Sequence, residues 1–268
     1  MKLLILIAYF IVLITIGFVC RQKATDVNGF VLGGRSVGPW LTAFAYGTSY
    51  FSAVVFVGYA GQFGWRFGIA ATWAGIGNAL IGSLLAWVIL GRRTRIMTQH
   101  LDSATMPQFF GERFQSKSLK IAASVIIFIF LIPYTASLYN GLSRLFGMAF
   151  HIDYSVCIVL MAILTAIYVI AGGYMATAIN DFIQGIIMSI ALLIVFVFGV
   201  NVAGGFDAVA EHAKSLPGYL TMFTTYDPVS GTEQPYPILN VLSMLAWGLG
   251  YFGMPHVLLR FMAIEDEE

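Results

Sequence analysis

Seven stretches of this chain are apolar over the length needed to cross a bilayer, and no other property limits its fold so tightly. They run from Leu3 to Cys20, Pro39 to Phe63, Ile69 to Gly91, Leu119 to Gly147, Tyr154 to Gly172, Asp181 to Ala203 and Ile238 to Met262. About 20 helical residues cross roughly 30 Å of hydrocarbon, where a chain must satisfy its backbone hydrogen bonds internally. An all-α integral membrane protein with seven transmembrane helices is therefore expected. Of the 268 residues, 59% are hydrophobic and 10% charged, against about 25% charged in soluble proteins. A net charge of +1 gives no case for a nucleic-acid partner, which would need a clustered basic face.

Charge between the apolar stretches sets the orientation. Alternate connectors place Arg21, Lys23, Arg35, Arg92, Arg93, Arg95, Arg113, Lys117, Lys120 and Arg260 on one side, and Lys2, Arg66, Arg144 and Lys214 on the other. By the positive-inside rule the richer side faces the cytoplasm. The N-terminus then lies outside, residues 204–237 form an extracellular connector, and the end of the chain is cytoplasmic. Leu3 to Cys20 is short enough for a signal peptide, but its positive charge follows the apolar run and Gly17-Phe-Val-Cys20 lacks a small-residue cleavage site, so it reads as a helix. Cys20 and Cys157 lack metal or redox spacing. The chain ends at Glu265-Asp-Glu-Glu268 straight after an apolar stretch, and a fragment is expected.

Two of the stretches are interrupted. One contains Ala43-Phe-Ala-Tyr-Gly-Thr-Ser-Tyr-Phe-Ser52; the other contains Trp247-Gly-Leu-Gly-Tyr-Phe-Gly-Met-Pro-His256. Irregular backbone at membrane depth survives only where it lines a protein cavity, and paired broken helices point to a midplane site for solute and ion. Thr48, Ser49, Tyr50 and Ser52 bring hydroxyls to that depth, for a hard cation or for close helix packing. Gly75, Ala79 and Ser83 form a small-xxx-small pattern and read as packing; Trp73 and Asn78 have no clear place. Pro133 should kink the fourth crossing at Tyr134, which can face a cavity or an interface. Asp181, with Gln184 one turn on, is either the N-cap of the following helix or a buried carboxylate tuning a sodium or proton site. Trp247 and Tyr251, one helical turn apart, can cover a small zwitterion or sugar or pack against neighbours. His100, His151, His212 and His256 are scattered without ligand spacing, which argues against a membrane enzyme. A seven-helix receptor fits the crossing count but not the broken helices.

Phe30-Val-Leu-Gly-Gly-Arg-Ser-Val-Gly-Pro-Trp40, Gly172-Gly173 before Asn180-Asp-Phe-Ile-Gln184, and the Trp247 to His256 segment with Arg260-Phe-Met-Ala263 resemble the sodium/solute symporter family, nearest its bacterial sodium/proline branch. The resemblance implies a leucine-transporter-like inverted-repeat fold. In it, residues 3–20 are an extra N-terminal helix, 39–203 the first five-helix repeat and 238–262 the first helix of the second repeat. It implies a plasma-membrane importer of proline or a related amino acid driven by sodium, with another sodium-coupled solute (pantothenate, a sugar or other carboxylate) as the alternative. Backbone carbonyls of Thr48 and Phe51, with Ala53 beside them and Asp181 linked to coupling, would serve sodium. Ser52 also adjoins that site, and Tyr134, Trp247, Tyr251 and Pro255 would line the solute site. Tyr50 departs from this resemblance, since the proline symporters carry an aspartate important for sodium there. The hydroxyls completing the sodium site belong to the missing C-terminal half, so this chain alone is not expected to transport.

Overall fold

A computed structural model describes residues 2–50 and 60–265, and only the backbone of Lys2, Leu3, Lys23, Tyr251 and Phe252. The helices in chain order are α1 (Lys2–Cys20), α2 (Val27–Leu32), α3 (Pro39–Tyr50), α4 (Gly61–Phe67), α5 (Thr72–Ile76), α6 (Arg92–His100), α7 (Met106–Arg113), α8 (Lys117–Phe150), α9 (Tyr154–Val202), α10 (Phe206–Ser215), α11 (Ile238–Trp247) and α12 (Pro255–Ala263). Between α5 and α6 the helix widens to π geometry over Gly77–Leu85 and Trp87–Gly91, and a 3-10 turn over Gly248–Gly253 joins α11 to α12. The all-α expectation needs one correction. Strands β1 (Thr224–Asp227) and β2 (Thr232–Pro235) pair as an antiparallel hairpin within the connector, where Thr and Tyr at the strand positions favour extended backbone.

Among the described residues, three helices are long and apolar enough to span: Gly61–His100, Lys117–Phe150 and Tyr154–Val202. Ile238–Gly250 with Pro255–Ala263 makes a fourth if counted as one broken span, and Leu4–Cys20 is apolar but shorter. Two expected crossings merge in α9, whose 49 residues would reach roughly 74 Å if straight at 1.5 Å per residue. It is not straight. Gly173 leaves helical geometry at φ 57 and ψ −148, a conformation open only to glycine, and Phe30 O lies 2.7 Å from where a Cβ would stand. By contrast α8 continues as one helix through Pro133.

The chain forms two compact units. The first comprises Met1–Val54, Leu90–Gly185 and Pro255–Glu268. Here α1 and α9 meet glycine to glycine: a Cβ on Gly172 would stand 2.7 Å from Gly17 O, and one on Gly17 would stand 2.9 Å from Tyr168 O. Small residues permit such backbone contact, which drives helix association in lipid. The Gly-Gly-Arg-Ser motif forms a sharp turn with Gly33, Gly34 and Arg35 all at positive φ. That turn aims Arg35 at three carbonyls: Nη1 donates to Met262 O at 3.1 Å, and Nη2 to Thr98 O at 3.2 Å and Ser103 O at 2.9 Å. Arg95 does the same for Ile264 O at 2.6 Å. Helix C-termini leave carbonyls unpaired, and these two guanidiniums satisfy those at the ends of α6 and α12. Val37 and Ile264 complete the junction as a parallel bridge.

The second unit comprises Val55–Ile89 and Ile186–Met254. The expected packing stripe is corrected here: Gly75 and Ala79 are exposed, and a Cβ on Gly75 would meet nothing within 4 Å. Close approach instead occurs at Gly77, where a Cβ would lie 2.6 Å from Leu245 Cα, and at Gly248, where it would lie 2.5 Å from Gly77 O and 2.8 Å from Gly82 N. The widened helix explains the shift. Bonding from i to i+5 brings residues five apart, Gly77 and Gly82, onto one face. Trp73 finds its place by donating from Nε1 to Met222 O at 2.8 Å, which ties the connector to this unit. Asp227 steadies the hairpin turn, accepting from Ser230 Oγ at 2.7 Å and Val229 N at 3.0 Å. These bonds hold its carboxyl below the usual aspartate range.

Candidate ion and solute site

Asp181 lies on α9 eight residues beyond the Gly173 break, inside the helix. The N-cap reading is therefore incorrect, because the second half of α9 starts directly after Gly173. Its Oδ2 accepts from Arg260 Nη2 at 2.8 Å, and the same nitrogen donates to Ser49 Oγ at 2.9 Å. The side chains of Arg260 and Asp181 are 10% and 18% exposed, so this ion pair is largely withdrawn from solvent. The Arg260 guanidinium also lies 4.9 Å above the Tyr174 ring, a cation–π contact made possible by the Gly173 turn just before it. Arg260 was counted above among the cytoplasmic charges. Buried and paired, it leaves that tally together with Arg95, which is 4% exposed and bonded to Ile264 O, and the bias stands at eight against four.

Thr48 sits beside this cluster. Gly185, one turn beyond Asp181, lets α3 approach α9: a Cβ there would stand 2.5 Å from the Phe44 ring and 3.2 Å from Thr48 Cγ2. α3 is regular helix through Tyr50, so Ala43 to Tyr50 is not unwound. The Thr48 hydroxyl donates to Phe44 O at 3.0 Å and Ser49 to Ala45 O at 2.8 Å, the usual back-bonding of helical hydroxyls. The Thr48 and Ser49 oxygens keep acceptor capacity. Phe51, Ser52 and Ala53 lie outside the described residues. Tyr50 is buried, stacked on Tyr46 at 5.7 Å, which in turn stacks on Phe261 of α12 at 6.2 Å. Tyr50, singled out above as a departure from the proline-symporter pattern, is thus an aromatic packing contact.

Gln184 does not join Asp181. Its amide donates to Tyr9 OH of α1, and Tyr9 OH reaches Asn180 Oδ1 at 3.4 Å. These contacts fix the polar face of α9 on both sides of the carboxylate.

Of the residues expected at the solute site, Tyr134 and Pro255 both belong to the first unit. The Tyr134 ring stacks on His256, next to Pro255, at 5.4 Å and 20°. Pro255 is the first residue of α12, where its missing N–H costs nothing. Trp247 belongs to the second unit; it is 46% exposed, with Phe63 6.3 Å away. The helical pairing of Trp247 with Tyr251 is also corrected, since Gly248–Gly253 is a 3-10 turn of about three residues per turn, so residues four apart no longer share a face. The Tyr251 side chain lies outside the described part.

Sequence reasoning missed Arg260 as a site residue and His256 as a neighbour of Tyr134. Arg260 is separated from Asp181 by 79 residues, and only its place in the Arg260-Phe-Met-Ala263 motif could have flagged it.

The model of the sodium:solute symporter family matches residues 30–268. The osmoregulated proline transporter OpuE of Bacillus subtilis (strain 168) is 36% identical over 261 residues, covering 96% of this chain and 51% of that protein. The sodium/proline symporter of Staphylococcus aureus (strain USA300) is 34% identical over 264 residues, 97% of this chain and 49% of that protein. The chain thus spans about half the length of these relatives. A solved structure of a Na+-coupled sialic acid symporter, substrate-bound and outward-open, superposes on 98% of this chain and 53% of its own with a TM-score of 0.74 at 20% identity, so the two share their fold over that half. Helical architecture, the glycine-built turns and the family match over most of the chain lead to one assignment: this chain belongs to the sodium:solute symporter family.

Proposed function

We propose that this chain is the N-terminal half of a sodium-coupled symporter that imports proline or a related amino acid across the plasma membrane by alternating access. The observation that carries the reading is the match over nearly the whole chain to two relatives named for proline transport, at 34% and 36% identity. In this reading the chain crosses the membrane seven times with its N-terminus outside, in a leucine-transporter-like arrangement. Residues 3–20 are the extra helix, 39–203 the first repeat, 204–237 an extracellular connector, and 238–262 the opening helix of the second repeat. Thr48, Phe51, Ala53 and Asp181 serve sodium; Ser52, Tyr134, Trp247, Tyr251 and Pro255 serve the solute. The C-terminal half supplies the remaining ion ligands.

The sialic acid symporter shares this fold, so fold alone does not select the solute, and the Tyr50 packing contact favours an ion site that differs in detail from the family pattern. Another sodium-coupled solute is thus the second reading. The test is uptake of labelled proline into proteoliposomes of the full-length gene product, with and without an inward sodium gradient. Gradient-driven accumulation is expected; equal uptake in both conditions overturns the proposal. Trp247→Ala is expected to raise the half-saturating proline concentration about tenfold, the order of one lost aromatic contact. A fall confined to the amount of protein in the membrane assigns Trp247 to packing.

A further inference from the structure

We propose that Arg260 is the positioning residue that couples the ion part of the site to the solute part, because its guanidinium and sodium compete for the Asp181 carboxylate. This rests on the sodium-symport reading above. The first observation is placement. Arg260 and Pro255 lie on the same short helix, α12, five residues apart, about 7.5 Å along its axis. A shift of α12 that follows the Arg260 side chain therefore moves Pro255 and the His256 ring stacked on Tyr134.

The second observation is the form of the ion pair. A guanidinium commonly grips a carboxylate with two parallel bonds. Here one nitrogen is divided between Asp181 Oδ2 and Ser49 Oγ, and Arg260 Nη1 is buried without a hydrogen-bond partner. Among the described residues no hydrogen bond reaches Asp181 Oδ1, which keeps its lone pairs for a hard cation. Such a half-made pair can be exchanged at lower cost than a bidentate one. A second cation at the carboxylate meets the guanidinium at close range in surroundings of low dielectric, where like charges repel strongly. Binding of one weakens the hold of the other.

The third observation is where Arg260 goes when displaced. The Tyr174 ring lies under the guanidinium, and the Tyr174 hydroxyl is buried without a partner. It stands next to the guanidinium as an acceptor that Nη1 can take up once the carboxylate is shared with a cation. Sodium at Asp181 thus shifts Arg260 toward Tyr174 and releases α12 from α3 and α9, which carries ion occupancy to the residues around Pro255.

The test uses the full-length gene product in proteoliposomes, with proline uptake titrated against sodium. Arg260→Gln is expected to lower the half-saturating sodium concentration at least threefold and to make the half-saturating proline concentration independent of sodium. In an Asp181→Asn background the same substitution is expected to leave the sodium dependence unchanged. Unchanged or raised half-saturating sodium in Arg260→Gln overturns the proposal. A loss of uptake with wild-type sodium and proline dependence also overturns it and leaves Arg260 a packing role. Should Arg260→Gln fail to reach the membrane, Arg260→Lys decides: a single-point charge without the fork is expected to lower half-saturating sodium at least twofold, and no change refutes the competition. If wild-type uptake itself ignores sodium, the symport reading fails; if only the variants behave as wild type, the competition alone fails.

Discussion

Withdrawing Asp181 and Arg260 from water is costly for each charge, and the pair is tolerable only because each has the other. Asp181→Asn removes the countercharge and leaves Arg260, itself 8% exposed, with a neutral amide and a hydroxyl. We expect a loss of about 3 kcal/mol, read as a lower thermal-unfolding midpoint in detergent without sodium. Adding Arg260→Met, which keeps the length of the side chain and discards its charge, should recover at least half of that loss. An unchanged midpoint in Asp181→Asn would show that the pair contributes nothing to stability. The carboxylate was legible in the sequence because it lacks an adjacent cation beside an apolar run. Its partner was not: a contact made across 79 residues leaves no trace in spacing, and Arg260 sits where a positive-inside count takes it for a solvated loop charge.

Helices were legible where the signal is summed over many residues, and contacts between them were not. Apolarity over about 20 positions located α1, α8 and both parts of α9, and Gly172-Gly173 marks the division within α9. The close approach in the second unit escaped because a four-residue small-xxx-small stripe assumes α-helical periodicity, whereas Gly77–Leu85 is a π-helix. That difference makes a sharp comparison between neighbouring glycines. Gly77→Ala would place a methyl 2.6 Å from the Leu245 Cα, against backbone that cannot turn aside. The expected cost is about 2 kcal/mol, in the range for overpacked interiors. Gly75→Ala enters open space and should be neutral or stabilising by about 0.5 kcal/mol through helix propensity. Thermal unfolding of the two variants in detergent checks this. The reverse ranking would return the packing face to Gly75, Ala79 and Ser83.

At the scale of the whole molecule, the orientation of the chain in the bilayer follows from where its cations are free. Arg35 and Arg95 are engaged with helix-end carbonyls and Arg260 with Asp181, yet all lie at or near the end of the chain's crossings that carries Arg92, Arg93, Arg113, Lys117 and Lys120. The 204–237 connector carries Asp207, Glu211, Asp227 and Glu233 against a single lysine, Lys214. Translocating a loop rich in Lys and Arg is disfavoured, so the connector is expected outside and the Arg92 to Lys120 region inside. Single cysteines test this, once Cys20 and Cys157, both buried and neither in a disulfide, are replaced by alanine. Val229 at the hairpin tip is 93% exposed and Phe114, between α7 and α8, is 62% exposed, so neither substitution disturbs a core. A membrane-impermeant maleimide should label Val229→Cys in right-side-out vesicles and Phe114→Cys only in inside-out vesicles. Labelling with the sides exchanged would invert the topology. It would also place the Arg35 and Arg95 junction on the outer face.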